Sequence, residues 1–141
     1  MGQAAALAPD VLVLEPDALS CRYAVQALQQ LGLQLQVSAG FAQGAASWQD
    51  CSPRLVVLGL DMDPADNLAR LEQVRRLCPG AVIMGVCPRM ASAERCELLN
   101  AGLDFILEKP FFVDECESAV RAILRRHPPL GQTVSGHPPQ A

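Results

Sequence analysis

The segment Arg54-Leu-Val-Val-Leu-Gly-Leu-Asp-Met-Asp-Pro64 decides the fold of this chain. Its apolar run from Leu55 to Leu58 has strong β propensity and no polar alternation, which is typical of a strand buried on both faces of a sheet. We expect this strand to be the central one. Because ligands bind at the carboxyl ends of strands in α/β sheets, Gly59 and Asp61 should lie at the functional edge.

Composition and charge favour one globular domain and argue against a nucleic-acid partner. A chain of 141 residues fits a single domain, which at this size buries roughly 68 to 70% of its unfolded surface. The net charge is -4 and the pI is about 5.0. Apart from Arg75-Arg76 and Arg125-Arg126 the basic residues are scattered, so no basic stripe can follow a phosphate backbone.

Cysteine spacing and the N-terminal sequence predict a cytoplasmic protein. The six cysteines form no Cys-x-x-Cys pair, and most occupy apolar positions of helical patterns, as expected of buried thiols in a reducing compartment. The N-terminus lacks the basic region and the long apolar run of a signal peptide. No apolar run approaches membrane-spanning length, so we expect no membrane partner.

Outward from the central strand, short apolar runs alternate with helical patterns five times. This alternation predicts an α/β fold with a doubly wound, five-stranded parallel sheet of flavodoxin-like order 2-1-3-4-5 and helices on both faces. We expect a flexible N-terminus over residues 1–9, a folded domain over 10–126, and a disordered tail or linker stub over 127–141. The other predicted strands are Val11–Leu14, Leu33–Val37, Ala81–Val86 and Asp104–Leu107, and predicted helices include Phe41–Asp50, Met90–Ala101 and Phe112–Arg126.

Capping signals mark the ends of the two remaining predicted helices. Asp17 precedes one of them and Gly32 ends it. Asp63 precedes the other, with Pro64 at the first helical position and Asp66 three residues after the cap.

Four features in order along the chain resemble the receiver domain of bacterial two-component response regulators. They are Glu15 ending the first strand, Pro53 before the third, Ala101-Gly102-Leu103-Asp104 before the fifth, and Lys109-Pro110-Phe111 after it. The likeness covers about residues 10 to 126. It implies a carboxylate at the end of strand three that accepts a phosphoryl group, two acids after strand one that bind Mg²⁺, and a Thr or Ser that ends strand four. It also implies a lysine before a usually cis proline.

Carried over to this sequence, the resemblance places the acceptor at Gly59, which has no side chain to phosphorylate. The acid pair becomes Glu15 and Pro16, so at most one metal ligand remains. A carboxylate nucleophile and a hard cation are both needed for aspartyl phosphorylation. We therefore predict no phosphorylation at the usual site and no bound cofactor, with Mg²⁺ binding weak or absent and Glu15 and Asp61 as the weak metal candidates.

The resemblance also places the switch residues. The hydroxyl position becomes Val86 and the switch aromatic becomes Ile106, and we expect these two to pack together in one conformation. Lys109 remains, followed by Pro110. A lysine near apolar walls needs a counter-charge, so we expect it to pair with Glu15 or with Asp61, unless it extends to solvent.

The leading functional hypothesis is an atypical receiver domain that acts in signal transduction by binding another protein, independently of phosphorylation and without enzymatic activity. In the resembled family the usual partner surface is the face of the fourth helix, fifth strand and fifth helix, which could also form a homodimer. In this chain that face would include Glu94, Arg95, Glu108, Glu117 and Arg121.

Two alternatives remain open. Asp61 could serve as a displaced phosphoryl acceptor, if its side chain lies on the same side as residue 59. Alternatively, Cys87-Pro88 or Cys78-Pro79 could make the protein a haem or redox sensor, because Cys-Pro dipeptides can supply a thiolate to haem.

Overall fold

A five-stranded parallel sheet carries helices on both faces in the computed structural model, which describes residues 9–38 and 52–127. The predicted helix Phe41–Asp50, the N-terminal residues 1–8 and the residues 128–141 lie outside the described ranges. The strands are β1 (Val11–Leu14), β2 (Leu35–Val37), β3 (Leu55–Gly59), β4 (Val82–Cys87) and β5 (Phe105–Glu108), and the described helices are α1 (Ala18–Gln30), α2 (Pro64–Leu77), α3 (Ser92–Asn100) and α4 (Val113–Arg126).

The strand order is β2-β1-β3-β4-β5, which confirms the predicted topology. β3 lies between β1 and β4, and residues 55 to 58 are completely buried. The absence of polar residues in this run therefore has a structural cause, because both faces of the strand are covered. No helix within the described ranges has the length and apolarity needed to cross a bilayer.

Successive side chains along each strand pack alternately into two separate apolar layers. On one face, Val57 and Val86 pack with residues of α1 and α4, including Leu28 and Val120. On the other face, side chains such as Leu58 pack with residues of α2 and α3. This alternation with a period of two places each side chain of a strand in one layer or the other.

The predicted helix caps are confirmed. The Asp17 side chain accepts a hydrogen bond from the Ser20 amide at 2.9 Å, and Asp63 accepts one from the Asp66 amide at 3.3 Å. Gly32 follows α1 with a φ of 76°, a left-handed conformation that glycine adopts without a Cβ penalty.

The predicted bounds of β4 and β5 are each displaced by one residue. β4 ends at Cys87 rather than at Val86, because the fully buried thiol continues the apolar run. Cys87 pairs with Glu108 in the parallel register, and its carbonyl accepts the Lys109 amide at 2.8 Å. The register between the two strands, in which Val86 pairs with Leu107, decides which side chains share a face at this edge of the sheet.

Arg75 holds together the amino-terminal ends of β4 and β5, at the opposite end of the sheet from the functional edge. Its guanidinium donates to the carbonyl of Ala81 at 2.7 Å and to that of Gly102 at 2.8 Å. It also contacts the Asp104 carboxylate at 3.1 Å, which in turn accepts the Ile83 amide at 2.9 Å. One side chain therefore joins the end of α2 to the starts of two strands.

We expect Arg75→Ala to lower the free energy of unfolding by about 2 kcal/mol, because it leaves two carbonyls and a carboxylate without their charged donor. Urea unfolding followed by far-UV circular dichroism measures this change. Arg76→Ala is the matched control, since Arg76 is an exposed neighbour on the same helix, and its effect should stay within about 0.5 kcal/mol. Equal effects of the two substitutions would contradict the assigned role.

Candidate functional site at the carboxyl edge of the sheet

A buried ion pair joins the ends of β1 and β5. Nζ of Lys109 lies 2.9 Å from Oε1 of Glu15, and the side chain of Glu15 is only 2% exposed. Oε1 accepts no well-aligned hydrogen bond among the described residues and is held by the charge of Lys109. The other oxygen, Oε2, accepts the Asp17 amide at 3.0 Å. The predicted pairing of Lys109 with Glu15 is confirmed, and the Lys109–Pro110 peptide bond is cis.

The Glu15 carboxylate lies over Gly59, where an acceptor side chain would have to begin. A Cβ added to Gly59 would lie 2.6 Å from Oε2 of Glu15 and 2.8 Å from its Cδ. It would also lie 2.9 Å from Cδ of Pro16, which belongs to a rigid ring. Glu15 and Pro16 together therefore occupy the space that a side chain at position 59 needs.

A second cation, Arg70, lies at the same edge. Its guanidinium donates to the carbonyl of Gly59 at 2.9 Å and contacts the carboxylates of Asp61 at 3.3 Å and Asp66 at 2.8 Å. Arg70 was not predicted from the sequence as a site residue. The i,i+4 spacing of Asp66 and Arg70 was the available signal.

Asn67 fixes the backbone of the turn that carries Asp61. Its side-chain carbonyl accepts the Asp61 amide at 2.9 Å, and its Nδ2 donates to the Asp61 carbonyl at 2.7 Å. The Asp61 carboxylate is half exposed, and one of its oxygens accepts the Asp63 amide at 2.9 Å. Asp61 therefore lies in a turn after β3, held by Arg70 rather than by Lys109.

The expected packing of Val86 against Ile106 is wrong. Val86 is paired with Leu107, and Ile106 is paired with Gly85. Val86 consequently belongs to the layer under α1 and α4, whereas Ile106 packs in the layer under α2 and α3. Because β4 ends at Cys87, this cysteine rather than Val86 takes the strand-end position that the resemblance gives to a hydroxyl.

Cys87, one of the two candidates for haem or redox chemistry, is poorly placed for it. Cys87 is completely buried, and burial raises the pKa of its thiol. Burial also raises the pKa of Cys116 to about 11. Since the thiolate is the metal ligand and the nucleophile, these groups stay protonated near neutral pH. Cys78 is likewise buried, whereas Cys96 is exposed on α3.

The cleft beside Asp61 is too small for an organic ligand. It lies between the turn after β3 and α3, is lined by Met62, Met90 and Leu98 among others, and has a volume of about 10 Å³. That volume is about the size of one water molecule. In residues 9–38 and 52–127, no three His, Cys, Asp or Glu side chains are grouped closely enough to share a metal ion.

The five charged residues predicted as a partner surface mostly pair with one another. Glu117 and Arg121 are 2.7 Å apart on α4, and Arg95 lies 3.8 Å from Glu108. Glu94 accepts the Ala91 amide at 3.3 Å at the start of α3. Partly exposed ion pairs of this kind add little stability, so these side chains can exchange partners.

An exposed aromatic side chain lies near Glu117 of this surface and was not predicted to have a role. Phe112, at the start of α4, is 67% exposed. Its ring centroid lies 6.3 Å from that of Tyr23 on α1, with the two planes inclined by 41°. A large exposed aromatic is the residue type that most often anchors a protein interface.

Several known proteins are similar to this chain, although no family model matches it. The KDP operon transcriptional regulatory protein KdpE of Escherichia coli (strain K12) is 26% identical over 118 residues, which covers 84% of this chain and 52% of that protein. The transcriptional regulatory protein PhoP of the same strain is 25% identical over 129 residues, covering 92% of this chain and 58% of that protein. The chain therefore spans about half the length of these relatives.

A solved structure supports the same fold. The receiver domain protein (CheY-like) from Methanospirillum hungatei JF-1 superposes with a TM-score of 0.73 at 19% identity. The superposition covers 86% of this chain and 97% of that one. The chain therefore shares the fold of that domain.

We expect Lys109→Met to lower the free energy of unfolding by about 2 to 3 kcal/mol, because it leaves the Glu15 carboxylate buried without its counter-charge. Glu15→Gln combined with Lys109→Met should recover a substantial part of this loss, since the amide oxygen can still accept the Asp17 amide. Urea unfolding of the single and double variants measures the coupling. Additive losses would show that the two groups do not stabilise each other.

Cys87 and Cys116 should not react with a maleimide in the native protein near neutral pH, whereas Cys96 should react readily. Both buried thiols combine a raised pKa with no solvent access, so little thiolate meets the reagent. Peptide mapping after labelling, with and without denaturant, measures this difference. If Cys87 of the native protein reacts as fast as Cys96, the result would support the haem or redox sensor alternative.

Proposed function

We propose that this chain is a receiver domain of the response-regulator family, which acts in two-component signalling as a phosphorylation-independent module that binds another protein. It carries out no catalysis and needs no cofactor. The observation that supports this most is the Glu15 carboxylate lying over Gly59 and paired with Lys109.

The ion pair gives Lys109 the partner that a phosphoryl group would otherwise provide. In the receiver family, a lysine at this position holds charge on the phosphoryl group. Here a carboxylate already lies 2.9 Å from Nζ, in the space above Gly59. Glu15 therefore supplies the negative charge that pairs with Lys109. This edge of the sheet keeps one conformation instead of alternating between two.

The displaced acceptor is disfavoured by the contacts of Asp61. A nucleophilic carboxylate needs a free oxygen and a cation positioned to neutralise the incoming phosphoryl group. One oxygen of Asp61 accepts the Asp63 amide and the other contacts Arg70. Lys109 is engaged with Glu15 instead.

The partner surface that we propose combines the charged residues of α3, β5 and α4 with the exposed ring of Phe112. The aromatic ring supplies an apolar anchor, and the surrounding ion pairs can rearrange to meet charges on a partner. The partner belongs to the same signalling pathway, and a second copy of this chain is the alternative. We expect the encounter to take place in the cytoplasm and to involve neither nucleic acid nor membrane.

Incubation with a small phosphodonor and Mg²⁺ should leave the intact mass of the natural protein unchanged, because no acceptor carboxylate lies at position 59. An adduct on the natural protein would contradict the proposal, and mapping it to Asp61 would establish the displaced acceptor. Asp61→Asn is the control variant that identifies this outcome.

Urea unfolding of Gly59→Asp tests whether Glu15 is an obstacle at position 59. This single variant should be destabilised by about 1 to 3 kcal/mol through overpacking against Glu15 and Pro16. Glu15→Ala in the same chain should recover only part of this loss, because the contact with Pro16 remains. If Gly59→Asp alone has the same free energy of unfolding as the natural protein, the Glu15 side chain can move away from residue 59 without a loss of stability.

A further inference from the structure

Arg70 makes three contacts that together resemble the coordination of a bound cation. One nitrogen donates to the Gly59 carbonyl at 2.9 Å, while another lies between the carboxylates of Asp61 and Asp66, at 3.3 and 2.8 Å. The side chain of Arg70 is 24% exposed, so most of it is withdrawn from solvent. A carbonyl and two carboxylates are also the oxygen ligands that hard divalent cations prefer.

We propose that Arg70 is the positioning residue of this edge, a built-in cation that holds the turn after β3 in one arrangement without a divalent metal ion. This inference rests on the proposed function and deepens it, because it explains how the site keeps its shape with no phosphoryl group and no Mg²⁺. A guanidinium suits this role because it is always charged and its donors are fixed in one plane.

The geometry explains how one arginine can hold this turn. Arg70 and Asp66 are one helical turn apart on α2, so their pairing is local. The contacts with Gly59 and Asp61 then tie the start of α2 to the end of β3. Asn67 holds the backbone of Asp61 from the same helix through two hydrogen bonds. The turn is thereby fixed at its backbone and at its carboxylate.

The natural protein should gain no thermal stability from Mg²⁺, because the guanidinium already occupies the position between the carboxylates. Arg70→Gln keeps a side chain of similar length and a donor for the Gly59 carbonyl, but it removes the positive charge. We expect this variant to unfold at a lower temperature in NaCl. We also expect about 10 mM MgCl₂ to raise its melting temperature by roughly 3 °C relative to NaCl of matched ionic strength.

Two further variants separate positioning from a purely structural role. Arg75→Ala also removes an arginine that bridges two carbonyls, but only one carboxylate remains at that site, so its lower melting temperature should not respond to Mg²⁺. Arg70→Lys restores the charge and should abolish the response to Mg²⁺. Both variants are measured by the same thermal unfolding experiment.

Stabilisation of the natural protein by Mg²⁺ would overturn the proposal, as would an Arg70→Gln variant that folds and shows no response. If Arg70→Gln does not fold, Arg70→Lys decides: a melting temperature close to that of the natural protein with no response to Mg²⁺ supports the role of the charge, and a melting temperature as low as that of Arg75→Ala overturns it. These outcomes are independent of the phosphodonor experiment. A mass adduct there would refute phosphorylation independence, whereas a failed Mg²⁺ response would refute only the role of Arg70.

Discussion

The carboxyl edge of the sheet depends on the contact between the Glu15 carboxylate and the Lys109 ammonium group. These residues follow β1 and β5, which are not neighbours in the order β2-β1-β3-β4-β5. Their ion pair therefore reaches across the ends of β3 and β4, and it holds the loops after β1 and β5 close together. A carboxylate that is only 2% exposed would raise the free energy of the folded state if it had no counter-charge. The buried position of Glu15 therefore depends on Lys109.

Two cations at this edge, Lys109 and Arg70, each neutralise part of its negative charge. Lys109 neutralises the buried carboxylate, and Arg70 neutralises the more exposed ones in the turn after β3. Gly59 lies between the two groups, with its carbonyl bonded to Arg70 and the space above its Cα filled by Glu15. The charged groups described at this edge are thus paired with one another by side chains of the chain itself.

Local patterns in the sequence were sufficient to predict the elements and their order, but not the contacts between them. The run from Leu55 to Leu58 and the caps at Asp17 and Asp63 depend on a residue and its near neighbours, so they could be identified without coordinates. The end of β4 at Cys87 could not be identified without coordinates, because a cysteine can either continue an apolar run or follow its end. Arg70 was missed because its contacts with Gly59 and Asp61 lie 11 and 9 residues away.

The crowding above Gly59 couples substitutions at three positions of the chain. A single substitution to aspartate at this position meets Glu15 and Pro16, so it does not reach the geometry of an acceptor in one step. Removing Glu15 first would leave Lys109 without its partner. Substitutions at positions 15, 59 and 109 are therefore epistatic, because the effect of each on stability depends on the residues at the other two positions.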